Sequence, residues 1–301
     1  MRQYIGRDDF NWFIGVVEDR NDPSQLGRVR VRTFGYHTED KDQIPTECLP
    51  WAIPINGVDS ASISGIGTSP TGMVEGSWVV GFFIDGDRAQ EPVVVGTLSG
   101  APKSLAEPTL GFNDPNGVYP KYIDEPDING KARGVVPPAI VPTPTKIDIP
   151  ESPFAPVYPM NHVRETESGH YKEYDDTAGA ERIKEFHKSG TSYEIGPDGT
   201  KVTRVVKDNY TLTAGDDKIH VKGNVTIYVD GDTNITVAGT TTVDTPTTNW
   251  TGDINLTGDL NITGTSTASG DHVSAGISGK GHTHKDTKGL GVGVTNPDSP
   301  L

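Results

Sequence analysis

Residues 215–239 read GDDKIHVKGNVTIYVDGDTNITVAG, with Gly215, Gly223, Gly231 and Gly239 eight residues apart. Farther on, Gly252, Gly258, Gly264, Gly270 and Gly276 follow at intervals of six. A short fixed period means one unit stacked many times, which a compact core does not produce. Strand side chains alternate faces with period two, so only an even repeat keeps every unit facing the same way. Across the octads Ile219, Val221, Val225, Ile227, Val229, Ile235, Val237 and Val243 all occupy odd numbers. Lys218, Lys222, Asp230, Asp232 and Asn234 occupy even ones, with His220 and Tyr228 among them. In the hexads Ile254, Leu256, Leu260 and Ile262 are all even. The phase slips once, between Asp244 and Trp250, where Pro246 cannot donate a ladder hydrogen bond and a bulge or corner is expected.

Each unit offers two or three branched apolar side chains, too few to close a core alone. A single-chain solenoid encloses its core with roughly 20 or more residues per coil, and the apolar phase is too regular for a disordered tract. The natural neighbours are identical chains. Three copies wound about one axis give a triangular prism, apolar inside, with glycine supplying positive φ or close approach at each corner. Shortening a side from eight to six residues removes about 7 Å at ~3.3 Å per residue, so the prism tapers toward the C-terminus.

The expected fold is therefore all-β, and the chain divides into five parts. Residues 1–100 hold five short strands, Phe13–Val17, Arg28–Phe34, Trp51–Ile55, Trp78–Ile84 and Pro92–Leu98, separated by turn-rich segments such as 21–24 and 85–87. Without helical periodicity, that suggests a small closed barrel of the OB type. The strand aromatics and the lack of a basic groove favour a structural barrel over one that stacks nucleic-acid bases. Residues 101–160 are a proline-rich connector, expected to be an extended, semi-rigid strap. Residues 161–208 alternate and carry turns at 167–169 and 196–199, which reads as a collar of paired strands. Residues 209–276 form the β-helix, and 277–301 the apex.

The 301 residues carry a net charge of −15, which argues against affinity for nucleic acid or anionic lipid. From 208 to 271 nine Asp face only Lys218 and Lys222, giving a solvated face that also keeps strand edges from pairing with strangers. Cys48 is the single cysteine, so no intrachain disulfide forms and assembly in a reducing cytosol is expected. No leader peptide is expected, and the longest apolar run, Trp78–Ile84, is far too short to span a bilayer.

Gly281-His282-Thr283-His284 closes the repeat. Residues i and i+2 of an extended strand point the same way, so three chains on one axis would bring six imidazole nitrogens together. Six nitrogens suit an octahedral first-row metal such as iron better than tetrahedral zinc. Its role would be structural, pinning three chain ends where the core is thinnest. His272 lies too far up the rod to join, and His162, His170, His187 and His220 read as collar or surface residues. There is no His-Glu-x-x-His and no Gly-x-Ser-x-Gly, and the short repeats leave no groove for a polysaccharide-degrading site, so no enzyme is expected.

The stretch from Asn161 through His170, then 175–177, 179–183 and 186–190, resembles the central spike proteins of the baseplate hub of contractile-tailed bacteriophages. The valine/glycine octads resemble the same family, as do 15–20 and 27–31 in its OB domain. The resemblance implies a homotrimer at the tip of the tail tube in the virion, assembled in the host cytoplasm. The OB domain would dock on a trimeric tail hub protein, and the β-helix would transiently pierce the host outer membrane when the sheath contracts. Spikes of the shorter-tailed branch end in an axial iron held by a His-x-His from each chain, which implies one iron per trimer at His282 and His284. Some members carry a lysozyme domain between barrel and β-helix; the connector is too short for one, so lytic activity is not implied. The rival is a trimeric tailspike or receptor-binding fibre acting on cell-surface polysaccharide.

Overall fold

A computed structural model of the chain describes residues 10–137 and 146–281. Five strands close a barrel: β1 (Trp12–Asp19), β2 (Val29–Thr33), β3 (Trp51–Pro54), β4 (Trp78–Phe83) and β5 (Pro92–Thr97). Their order around the barrel is β1-β2-β3-β5-β4, and β4 returns to pair with β1. All pairs are antiparallel except β3 with β5. The five strands fall where hydrophobic alternation places them. Phe13, Val17, Val29, Val31, Ala52, Val79, Phe83 and Val94 form the interior, with the Phe13 and Phe83 rings 4.8 Å apart.

Over one part of the barrel's outer surface the chain builds a roof on a buried ion pair. Arg32 and Glu18 are fully enclosed, with Nε to Oε1 at 2.6 Å and Nη2 to Oε2 at 3.1 Å. Two further guanidinium hydrogens go to the carbonyls of Thr38 and Ile44, each at 2.7 Å, and the Thr46 hydroxyl donates to Glu18. Satisfying both charges is what makes their burial tolerable, and it fastens residues 38–46 over β1 and β2. The connector completes the roof. Gly111 donates its N–H to the Glu39 carbonyl, and Asp40 bridges Leu110. A Cβ at Gly111 would stand 2.1 Å from Arg32 Cδ, so only glycine lets the strap lie this close.

The described connector residues contain no strand or helix beyond that bridge, as its proline content dictates. They are nonetheless tied down on both sides. Buried Asp114 accepts the N–H groups of Asn116, Val118 and Tyr119. Asn129 and Lys131 bind Glu165, and the Asn161 amide donates to the Lys131 carbonyl.

The collar is a five-stranded antiparallel meander of β6 (Asn161–Glu165), β7 (Tyr171–Asp175), β8 (Arg182–Phe186), β9 (Ser192–Ile195) and β10 (Lys201–Arg204). Its turns include 167–168 and 197–198. Beyond it the chain forms no strand until the hairpin of β11 (Val273–Ser274) and β12 (Ile277–Ser278). Ala275 and Gly276 connect these two strands with φ of 50° and 80°, the left-handed pair a two-residue hairpin turn requires. The hairpin straddles the expected boundary between β-helix and apex at 276/277. The chain comprises two units, residues 1–230 and 231–301.

Candidate functional site

From 206 to 277 every residue is exposed, and the ladder follows the glycine ruler. The backbone bends at 214–215, 222–223, 230–231 and 238–239, then at 252, 257–258, 263–264 and 269–270, with one further bend at Pro246. The expected corners thus fall on the ruler glycines and on the phase slip. Positive φ is confined to Gly252, Gly258 and Gly276 among the nine, and among the described residues nothing stands within 4 Å of a Cβ at any of them. Of the two roles expected of a corner glycine, positive φ or close approach, these three carry the first. The others turn at ordinary φ, so their need for glycine would have to come from close approach of another chain.

The one-sided apolar set lies bare. Ile219 is 84% exposed, Ile227 79% and Ile235 81%, and Val243, Ile254, Leu256 and Leu260 are exposed as well. Fully burying one such side chain is worth about 1.5–3 kcal/mol. Rows of them keep one parity within each section, and no strand among the described residues covers them.

His282 and His284 lie outside the described residues. The hairpin leading to them is fixed by Gly279 N–H on the His272 carbonyl, Lys280 N–H on Asp271 and Gly281 N–H on Ser278 Oγ. Among the described residues no group of three or more His, Cys, Asp or Glu could hold a metal. His162 faces Asp176 at 3.6 Å, and the His170 and His187 rings lie 4.4 Å apart, which places these three on the collar as expected. Cys48 is exposed. The imidazole nitrogens of His282 and His284 are donors of the kind that suits a first-row metal. No helix among the described residues is long and apolar enough to cross a membrane.

The collar reverses the usual sense of a sheet. Beside the stacked rings of Tyr171 and Phe186, its covered face carries Asn161, Glu173, Asp175, Arg182 and Lys184, all buried, while Tyr174 and Ile183 face outward. Arg182 binds Glu173 at 3.1 Å and Glu194 at 3.0 Å, Lys184 binds Glu194 at 3.2 Å, and Phe154 of the connector lies over the Arg182 guanidinium. Sequence reading missed this network, because alternation shows two faces without saying which is covered.

Barrel, connector and collar meet at Arg20, which reaches Glu75 at 3.2 Å and Glu167 of the β6–β7 turn at 3.0 Å. Tyr119 also donates to Glu167. The hydrogen bonds from Arg20 and Tyr119 hold the Glu167 carboxyl down at about 2. Burial, followed by the Glu167 carboxylate, pushes the Tyr119 hydroxyl up to about 12. A second feature missed from sequence lies on the barrel's outside: Trp12 and Trp78 point outward at 55% and 48% exposure, while Phe13 and Phe83 line the core.

An OB-type barrel, a strap bound to its outside, an antiparallel collar and a one-sided repeat together define the spike class of tail proteins. Residues 35–208 match the model of the Gp5 N-terminal OB domain family, and the chain belongs to that family, as the resemblance implied. Protein Gp5 of Vibrio phage KVP40 is 40% identical over 276 residues, covering 76% of this chain. The pre-baseplate central spike protein Gp5 of Enterobacteria phage T4 is 47% identical over 121 residues, covering 38% of it. The chain spans 65% of the length of the first relative and 21% of the second.

Proposed function

We propose that this chain is one third of the central spike of a contractile phage tail, a structural component of the baseplate without enzymatic activity. Its barrel docks on the trimeric tail hub, and its C-terminal ladder, wound with two identical chains, is the tapering needle that pierces the outer membrane when the sheath contracts. The observation that carries this reading is the bare apolar ladder, of one parity within each section, bending at every ruler glycine. Such a chain can hide its apolar side only in a shaft shared with copies of itself. The resulting prism would transmit axial force through hydrogen bonds between chains, and its acidic outside would bind neither nucleic acid nor envelope phosphates. The name of the T4 relative, a pre-baseplate central spike protein, supports the placement.

At the apex His282 and His284 of three chains would hold one octahedral iron, whose chemistry there is coordination of six neutral imidazoles. Native mass spectrometry with elemental analysis tests both parts. Three chains and one iron per particle are expected, and a lone folded chain in solution would overturn the reading. Changing both histidines to Ala should remove the metal and leave the trimer assembled; stoichiometric iron retained in that variant would place the site elsewhere.

A further inference from the structure

We propose that the indole rings of Trp250 from three copies of this chain meet on the axis of the ladder, where octads give way to hexads, and plug the shaft at that level. This rests on the reading of the ladder as a shaft shared by three chains, and it adds which residue closes the shaft and where.

The repeat itself assigns the position. Two residues before a ruler glycine, the station that opens with Thr213 carries Val221, Val229 and Val237 in the octads, then Leu256 and Ile262 in the hexads. Trp250 stands two residues before Gly252, so it fills the same station, with a branched apolar side chain in the units on either side. Because the repeats are even, one station keeps to one face. Trp250 also shares the even parity of Ile254 and Leu256, whereas Asn249, Thr251 and Asp253, on the opposite parity, are all polar. Toward the C-terminus the station shrinks to Ala268 and then Ser274, as the core of a tapering shaft must. The largest side chain of the column therefore falls at the junction.

The junction is also where a core needs it. Between Val243 and Ile254 the apolar parity changes from odd to even, and Trp250 is the one large apolar side chain in the interval apart from Pro246. Pro246 sits at a bend, where the Thr245 hydroxyl donates to the Thr247 carbonyl at 3.2 Å. Threonines alone would leave the axis underfilled, and voids in a packed core are costly. A tryptophan buries roughly 150–250 Å² from a single position. Thr248, two residues earlier on the same parity, offers the hydroxyl that a buried indole N–H requires. The backbone changes character at the same place: the octad ruler glycines turn at ordinary φ, whereas Gly252 and Gly258 adopt 114° and 136°. Within the single chain Trp250 is 75% exposed. Facing outward, such a ring would suit the interfacial layer of a lipid bilayer; its parity and station place it with the inner residues instead.

The test uses the full-length assembled protein. Subtracting the tryptophan emission of Trp250→Phe from that of wild type isolates this ring from the other three tryptophans. The difference spectrum should be blue-shifted relative to the heat-dissociated chain, and its quenching by acrylamide should be lost. Trp250→Ala should still give trimers in native mass spectra, but their lifetime at elevated temperature should shorten by about 100-fold or more. Free indole added to that variant should restore part of the lifetime by entering the apolar cavity that the rings leave. Thr251→Ala, on the opposite parity, should change neither reading. Should Trp250→Ala fail to assemble, the quenching of wild type against Trp250→Phe decides. Acrylamide quenching of Trp250 in the trimer as ready as in the dissociated chain would overturn the plug and leave the shared shaft standing. So would an unchanged lifetime in Trp250→Ala, or a shift of Trp250 emission on adding vesicles of phosphatidylethanolamine and phosphatidylglycerol. A lone wild-type chain in native mass spectra would overturn the shaft and the plug together.

Discussion

His37 shows how one residue couples the barrel to pH. Its Nδ1 accepts the Thr33 N–H at 3.0 Å, so the ring must be unprotonated there. Burial, and then the Arg32 cation, push its pKa below the ordinary 6.5. The unfolded chain therefore takes up a proton at a higher pH than the folded one. Stability from this group is complete above about pH 6.5 and is lost as pH falls toward the lower folded value. Denaturation midpoints measured between about pH 5 and about pH 8 should decline on the acid side for wild type, and His37→Gln should flatten that decline. An unchanged slope in the variant would assign the dependence to another group. None of this was legible in the run Arg28-Val-Arg-Val-Arg-Thr-Phe34, whose alternation reads as three solvent-facing arginines. The third is fully buried because residues far along the chain, 38–46 and the connector, close over it, and no local pattern encodes a roof supplied from a distance.

At the scale of elements, legibility follows periodicity. The barrel strands, the collar turns and the ladder corners fall where alternation and glycine spacing place them, because those signals are local. The proline-rich connector has no period, and the side chains that moor it, Gly111, Asp114 and Tyr119, are single residues without a pattern. The covered face of the collar was hidden for a related reason. Its buried positions carry Glu173, Asp175, Arg182 and Lys184, charges that sequence reading assigns to solvent. Matched ion pairs on that face also fix register, since a slip by one residue would turn every charge to the opposite side. The ladder's parity can be tested one residue at a time. Ile227→Asp would place three unpaired carboxylates in the shared core, at several kcal/mol each, and should abolish the trimer in native mass spectra. Thr226→Asp, one position away on the opposite parity, should leave it intact. Equal tolerance of both substitutions would show that the odd face is not the inner one.

For the whole molecule the decisive quantity is a rate. In the proposed trimer, chains that intertwine through successive octads and hexads could not separate by rigid-body dissociation, because each would have to unwind past the other two and surrender its inter-chain hydrogen bonds as it went. Durability is then set by the barrier to unwinding rather than by the free energy of any single contact. Loosening the apex should act mainly on the end from which unwinding starts, so the histidine-to-alanine pair should shorten the lifetime of the trimer at elevated temperature without altering the species present at room temperature. Unheated samples in SDS should migrate as trimer and convert to monomer only after heating. Time courses at several temperatures should show single-exponential loss with the large activation enthalpy expected of global unfolding. Prompt release of folded monomers in mild SDS at room temperature would mean that the three chains lie side by side. A needle of that construction would have only lateral contacts to resist splaying when driven against a membrane.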